Sequence, residues 1–215
     1  MPVSRLGPLQ YDLLMAFGRR VPAFFLTGGA ALAHYYLGHR ETEDLDFFVC
    51  SDILPEGVAA LKDAAEELGA SVSVLTDARD FKRYLVSRGP ESIKVDLVHE
   101  TQPQIASKAV MDGIAVDKPE EILANKLTPS VLSRGELRDL VDIWYLEKLG
   151  LRMEDALPGA MRKEVFTPAE LASVLSMWTI GPDARPPGEL TAEQLRAYVQ
   201  NLADRLVRMA FPSQE

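Results

Sequence analysis

Two adjacent glycines near the start of the chain set the strongest limit on its fold. Residues 23–26 form a short apolar run of the kind found in buried strands, and Gly28 and Gly29 interrupt it. Residues 30–37 are all compatible with a helix, and Gly38 is a typical helix stop. The stretch therefore predicts a strand that turns sharply into a helix.

Two aspartates follow this helix in the alternation expected of a strand. Asp44 and Asp46 alternate with apolar residues over 44–49, so both carboxylates should lie on one face. Two negative charges this close repel each other and would destabilise the fold unless a positive charge compensates them. Mg²⁺ is suited to this because it binds carboxylate and phosphate oxygens together. On its own, the alternation is better explained as a half-exposed strand.

The glycine pair makes a phosphate site the better explanation. A strand-to-helix turn through Gly28 and Gly29 lets backbone amides approach a phosphate closely. A third acid, Asp96, lies in the strand-like segment 92–99 on the same face as Lys94. Three carboxylates on neighbouring strands are what two-metal transfer of a nucleotide requires.

The remaining patterns predict an α/β fold with a mixed sheet followed by a helical region. Helical spacing is seen in residues 8–19 and 56–68, and strand-like segments in 71–75, 81–87 and 92–99. From residue 118 onward the sequence contains helix start signals instead. We expect a catalytic domain over residues 1–117 and a helical region over 118–215 that packs on it.

The helical region has readable start signals. Pro119 opens one helix, and Pro129 should end or kink it. Capping boxes are predicted at Ser133–Glu136, Thr167–Glu170 and Thr191–Gln194. In the helix over 135–149, the apolar stripe is expected at Leu137, Leu140, Val141 and Trp144, with Arg138, Asp139 and Asp142 on the other side.

Residues 26–48, LTGGAALAHYYLGHRETEDLDFF, resemble the signature of the AbiEii/AbiGii-type toxin nucleotidyltransferases, within the DNA polymerase β superfamily. The later stretches KPEEILANKL and RGELRDLVDIWYL resemble a second conserved block of that family. The resemblance covers roughly residues 24–147 and implies the nucleotidyltransferase fold. Thr42 stands where the family usually has serine, a change that keeps the hydroxyl.

The resemblance also implies roles for individual residues. The implied metal ligands are Asp44, Asp46 and Asp96. The implied catalytic residues are these three acids with Lys126 and Asp142. The implied nucleotide contacts are Thr27, Gly28, Gly29, Arg40, Thr42, Lys126 and Asp139, and whether Asp139 or Asp142 reaches the site stays open. Independently of the family, Lys126 could neutralise a nucleotide phosphate as a compact point charge.

These observations predict a Mg²⁺-dependent enzyme, with Mn²⁺ as the alternative ion, that moves a nucleoside monophosphate from a nucleoside triphosphate to an acceptor hydroxyl. The family context implies a toxin of a toxin–antitoxin or phage-defence system, an antitoxin partner and an RNA or transfer RNA acceptor, with a protein hydroxyl also open. Two alternatives remain. One is a nucleotide-binding or protein-interaction module without turnover, and the other is an antibiotic-type enzyme acting on a small molecule.

Composition adds a few limits. The single cysteine, Cys50, allows no intramolecular disulfide and indicates a reducing compartment; we expect it to be buried. The sequence contains no run long enough to span a bilayer and no signal peptide, so a cytoplasmic location without membrane contact is expected. The net charge of −9 disfavours broad nucleic-acid binding, leaving Arg79, Lys82, Arg83 and Arg88 as the best candidates for a local basic patch.

Overall fold

The computed structural model describes residues 4–212. These residues form two compact units. The first runs through Thr101 and includes Ala106–Lys118; the second consists of Gln102–Ile105 and the residues from Pro119 onward. The placement of Gln102–Ile105 with the second unit corresponds to no pattern in the sequence.

The first unit is built on a mixed sheet. Its strands are β1 (Phe25–Thr27), β2 (Asp44–Val49), β3 (Ser71–Asp77), β4 (Phe81–Arg88), β5 (Glu91–His99), β6 (Ala109–Met111) and β7 (Ile114–Val116). Within the described part of the chain their order is β3-β4-β5-β2-β1-β7-β6. The β2–β5 and β1–β7 pairs are parallel and the other pairs antiparallel, which confirms the predicted α/β class with a mixed sheet.

Helices cover one face of this sheet. They are α1 (Pro8–Arg20), the short α2 (Gly28–Ala31), which continues as a wider π-helical turn over Leu32–Tyr36, and α3 (Leu54–Glu67). Phe17 of α1 packs on Phe47 of β2 with ring centroids 4.3 Å apart. Leu45, Phe47 and Val49 are buried, so the alternate residues of β2 are left on the opposite face.

The second unit is helical. Its helices are α4 (Pro119–Lys126), α5 (Pro129–Leu132), α6 (Leu137–Lys148), α7 (Met153–Lys163), α8 (Pro168–Ser176) and α9 (Ala192–Ala210). As predicted, Pro129 falls outside α4, which ends at Lys126. Within this unit, the backbone amide of Ile105 donates to Oε2 of Glu121 at 2.8 Å.

Two of the three predicted capping boxes are confirmed. Thr167 and Thr191 cap α8 and α9, and each accepts a hydrogen bond from the third residue of its helix. The box predicted at Ser133 is wrong. Because Pro129 starts the short helix α5, Ser133 follows the last residue of that helix, and α6 begins only after Glu136.

An arginine clamp joins three helices of the second unit. Arg205 of α9 contacts Glu147 of α6 through Nη1 and Nη2 at 2.9 and 2.7 Å. It contacts Glu154 of α7 through Nε and Nη2 at 2.8 and 2.6 Å. Tyr198 also donates to Glu147, at 2.8 Å. The guanidinium therefore ties α6 and α7 to α9 with charge-assisted hydrogen bonds.

The expectation of a buried cysteine is wrong. Cys50 is exposed, because the inward alternation of β2 ends at Val49 and Cys50 begins the bend that follows. Over residues 4–212 there is no helix with the length and apolar character needed to cross a bilayer.

Candidate functional site

Four side chains form a row across four neighbouring strands of the first unit. In the strand register Thr27 of β1 lies opposite Asp46 of β2, Asp46 opposite Asp96 of β5, and Asp96 opposite Arg83 of β4. Laterally paired residues point to the same face of a sheet, so this set, which we call the acid row, shares one face. Asp44 lies two residues before Asp46 on that face, in register with the exposed Lys94.

The end of the acid row is a bidentate ion pair. Nε of Arg83 donates to Oδ1 of Asp96 at 2.8 Å, and Nη2 donates to Oδ2 at 2.7 Å. The hydrogen bond to Asp96, together with the fields of Asp96, Asp44 and Asp46, raises the pKa of Arg83 above its usual value although partial burial opposes this. Arg83 is therefore held as a cation beside all three acids.

The glycine turn lies directly against the acid row. Gly28 has φ +64°, in the left-handed region, and a β-carbon there would lie 2.6 Å from Oδ2 of Asp46. A β-carbon on Gly29 would lie 2.5 Å from Nη2 of Arg40. The two glycines thus admit a carboxylate and a guanidinium at distances that no larger residue would allow. Gly28 thus lies against Asp46, and Gly29 against Arg40.

The other predicted nucleotide contacts of this unit surround the turn. Thr27 is buried and directly precedes Gly28. Arg40 is 7% exposed, and its Nη1 donates to the carbonyl of Glu41 at 3.0 Å. Thr42 is half-buried, and its carbonyl accepts from Nε2 of Gln10 at 2.8 Å. The segment between the helical turn and β2 is thus fixed at both Arg40 and Thr42.

The acid face offers ligands that suit Mg²⁺, but the three-acid cluster is not assembled. Among residues 4–212, no three His, Cys, Asp or Glu side chains are arranged to hold a metal ion. Both oxygens of Asp96 point at Arg83. Asp44 and Asp46 are half-buried carboxylates of the hard oxygen type that Mg²⁺ prefers, and the missing β-carbon of Gly28 lets Oδ2 of Asp46 lie against the turn. These two residues fit the ion.

The helical unit contains a separate cluster of charges. Nζ of Lys126 in α4 lies 2.8 Å from Oδ1 of Asp139 and 2.8 Å from Oδ2 of Asp142, both in α6. Burial alone would lower the pKa of Lys126, but the two carboxylates outweigh burial and raise it. Arg134 reaches the second oxygen of Asp139 at 3.0 Å. Both aspartates that the sequence left as alternatives therefore contact Lys126.

This cluster overturns the predicted orientation of α6. Asp139 and Asp142 were expected opposite the apolar stripe, yet they are 3% and 0% exposed. They are buried because Lys126 supplies a buried cation from a different helix, which satisfies both carboxylates. Arg138 instead pairs with Glu136 at 2.9 Å.

The proposed basic patch is largely neutralised by acids. Lys82 pairs with Asp77, and Arg83 with Asp96. Arg88 donates to Asp12 at 2.8 Å and also contacts Glu91. Most of the positive charge of this segment is therefore neutralised by acids of the same unit. This makes the segment a weaker surface for binding the phosphates of a nucleic acid.

The fold is that of known nucleotidyltransferases. MenT4, a nucleotidyltransferase toxin from Mycobacterium tuberculosis, aligns over 95% of this chain and 82% of its own, at 14% identity and a TM-score of 0.57. JHP933 from Helicobacter pylori aligns over 94% and 91%, at 20% identity and a TM-score of 0.56. A candidate nucleotidyltransferase from H. pylori aligns over 94% of both chains, at 20% identity and a TM-score of 0.58.

A family model described as the nucleotidyl transferase AbiEii toxin of type IV toxin–antitoxin systems matches residues 13–212. The chain belongs to this family, which confirms the resemblance seen in its sequence. No curated protein sequence gave a significant match.

Proposed function

We propose that this protein is a Mg²⁺-dependent nucleotidyltransferase that moves a nucleoside monophosphate from a nucleoside triphosphate to an acceptor hydroxyl. The acceptor oxygen forms a bond to the α-phosphorus and loses its proton. The bond between the α-phosphorus and the oxygen that bridges it to the β-phosphorus breaks, and pyrophosphate leaves. The observation that carries the proposal is the acid row next to the Gly28–Gly29 turn.

In this proposal the three carboxylates have different roles. Asp44 and Asp46 would hold Mg²⁺, or Mn²⁺ in its place, and an ion held there would supply positive charge for the triphosphate and for the attacking oxygen. Asp96, on the neighbouring strand β5, accepts a hydrogen bond from the acceptor hydroxyl and makes its oxygen more reactive. It has room for this role because a carboxylate has about four lone-pair positions, and Arg83 occupies two.

The triphosphate is assigned to the turn that follows β1. Backbone amides of Gly28 and Gly29 can approach phosphate oxygens, since neither residue has a side chain in the way. Arg40 adds a guanidinium whose planar donors suit phosphate. Thr27 and Thr42 complete this group with hydroxyls at its two ends.

Lys126, Asp139 and Asp142 have implied roles in the same reaction through the family resemblance. In the helical unit they form a buried cluster in which the lysine charge is already offset by two carboxylates. We propose that the cluster first fixes α4 against α6. A direct role for Lys126 at a phosphate belongs to the family-based hypothesis.

The acceptor is proposed to be RNA, such as the 3′ end of a transfer RNA, and the partner an antitoxin, in keeping with the toxin–antitoxin description of the family. The charge of −9 and the pairing of Lys82, Arg83 and Arg88 keep a protein or small-molecule hydroxyl as the alternative. The Arg83–Asp96 pair favours one competitor, a nucleotide-binding module without turnover, because Arg83 binds both oxygens of Asp96 and reduces what that carboxylate can offer an acceptor hydroxyl.

The test is incubation with Mg²⁺ and each radiolabelled nucleoside triphosphate, with and without total RNA. The wild type is compared with the Asp44→Ala/Asp46→Ala double variant and with Asp77→Asn, a control on the exposed strand β3. Label in RNA from the wild type and the control, but not from the double variant, supports transfer. Metal-dependent triphosphate binding without labelled product from any acceptor would indicate the binding module.

A further inference from the structure

Arg83, the last residue of the acid row, holds its neighbour Asp96 while staying accessible to solvent. Its guanidinium binds both oxygens of Asp96, and the side chain of Asp96 is only 7% exposed. The side chain of Arg83 is 40% exposed, so the cation itself can be reached from solvent. Bidentate pairs of this kind are the strongest and most directional of the charge-assisted hydrogen bonds.

The position of Arg83 also matters for the other two acids. Asp44, Asp46 and Asp96 share one sheet face, and three like charges there repel one another. Arg83 is the partner of Asp96 in the strand register, and its charge is stabilised by the fields of all three carboxylates. In the protein without a metal ion, Arg83 therefore offsets part of this repulsion.

We propose that Arg83 is a positioning residue that holds Asp96 in the acid row and lowers the affinity of the neighbouring acids, Asp44, Asp46 and Asp96, for divalent cations. This inference rests on the metal site of the proposed function. A cation that approaches Asp96 must share an oxygen with the guanidinium or displace it. In both cases it binds next to a positive charge, which opposes it.

The test compares Arg83→Gln with Arg88→Gln. Arg88 is a matched control because it lies on the same strand and is likewise an arginine paired with acids, in its case Asp12 and Glu91. Mn²⁺ binding is measured by calorimetry. We expect Arg83→Gln to bind Mn²⁺ about tenfold more tightly, the change for removing a unit charge roughly 6 Å from a divalent ion in a water-like dielectric. Arg88→Gln should bind like the wild type.

Thermal unfolding gives a second readout that does not depend on activity. Without divalent ions, Arg83→Gln should have a lower Tm than the wild type, because three carboxylates are left less compensated. A ligand that binds only the folded state stabilises it more when it binds more tightly. The same excess of Mn²⁺ should therefore raise the Tm of Arg83→Gln more than that of the wild type. Arg88→Gln should gain no more from Mn²⁺ than the wild type gains.

Arg83→Lys separates charge from positioning. A lysine keeps the positive charge but cannot make the paired hydrogen bonds that position Asp96. The Mn²⁺ affinity of Arg83→Lys should therefore be close to that of the wild type, while its nucleotidyl transfer should be lower than that of the wild type. Equal Mn²⁺ affinity in the wild type and Arg83→Gln would overturn this inference and leave the proposed function intact. A wild type whose Mn²⁺ binding is absent, or independent of Asp44 and Asp46, would overturn the proposed metal site and this inference with it.

Discussion

The α-carbon of Gly28 approaches Asp46 so closely that a β-carbon would lie 2.6 Å from the carboxylate oxygen Oδ2. This contact ties the conformation of the turn to the position of the acid. The turn and the acid row consequently cannot vary independently, and a change at either should disturb both.

Gly28→Ala should abolish nucleotidyl transfer and destabilise the protein. An alanine at φ +64° costs about 1–2 kcal/mol in backbone strain, and its β-carbon also displaces Asp46. Gly89→Ala is the control, because Gly89 has φ +57° but no atom within 4 Å of an added β-carbon. Urea unfolding and the transfer assay measure both effects. Equal loss of stability in the two variants, with activity retained in Gly28→Ala, would refute the proposed contact.

Asp142→Ala should destabilise the helical unit by about 3–5 kcal/mol, because it removes a carboxylate from a cluster that holds a buried lysine. Denaturant unfolding measures the loss. The comparison is Glu136→Gln, which breaks an exposed pair with Arg138 and should stay within about 1 kcal/mol of wild type. If Asp142→Ala unfolds like the wild type but loses transfer activity, the cluster serves the reaction directly and the structural role is wrong.

The free energy of unfolding should decrease at acid pH, because the arginine clamp depends on two ionised glutamates. Hydrogen bonds from Arg205 lower the pKa of Glu154 to about 2. For Glu147, burial would raise the pKa, but the hydrogen bonds from Arg205, Met153 and Tyr198 outweigh burial and lower it. The stability that each lowered pKa contributes is therefore complete above the ordinary glutamate pKa of 4.5. As the pH falls below that value, the contribution of Glu147 is lost, and the contribution of Glu154 is lost toward about pH 2.

The free energy of unfolding, measured from pH 6 down to the lowest pH at which the protein stays folded, should decrease more steeply in the wild type than in Arg205→Gln. The variant lacks the guanidinium that lowers both pKa values, so the two curves should converge as the pH falls. Parallel curves over this range would mean that the clamp does not determine the acid sensitivity.

Thr167→Ala should cost about 1 kcal/mol, because the Thr167 hydroxyl accepts from the backbone of Glu170 and caps α8. Ser133→Ala has the same sequence signature but lies at the end of α5, and it should change stability by less than about 0.5 kcal/mol. Thermal unfolding of both variants checks the assignment. A comparable loss in Ser133→Ala would mean that α6 begins earlier than the structure places it.

Local patterns in the sequence were sufficient for the elements that carry the site. The alternation through Asp44 and Asp46 predicted β2, and the glycine pair predicted the turn before the helix. β6 and β7 were missed because three residues are too few to show a period and, unlike β1, neither strand leads into a glycine pair.

Contacts between distant residues could not be predicted in the same way. Asp139 and Asp142 looked solvent-facing because the cation that lets them be buried, Lys126, comes from another helix. Arg83 was assigned to a surface patch because its partner, Asp96, is fixed by strand register. Register depends on which strands pair, and a single sequence does not specify that.

The grouping of Gln102–Ile105 with the helical unit bears on how the protein can be cut into fragments. A recombinant fragment that starts at Pro119 would lack Ile105, whose amide binds the fully buried Glu121. A fragment that ends at Lys118 would carry those four residues away from their unit. Chimeras with related proteins should therefore exchange this short segment together with the residues from 119 onward.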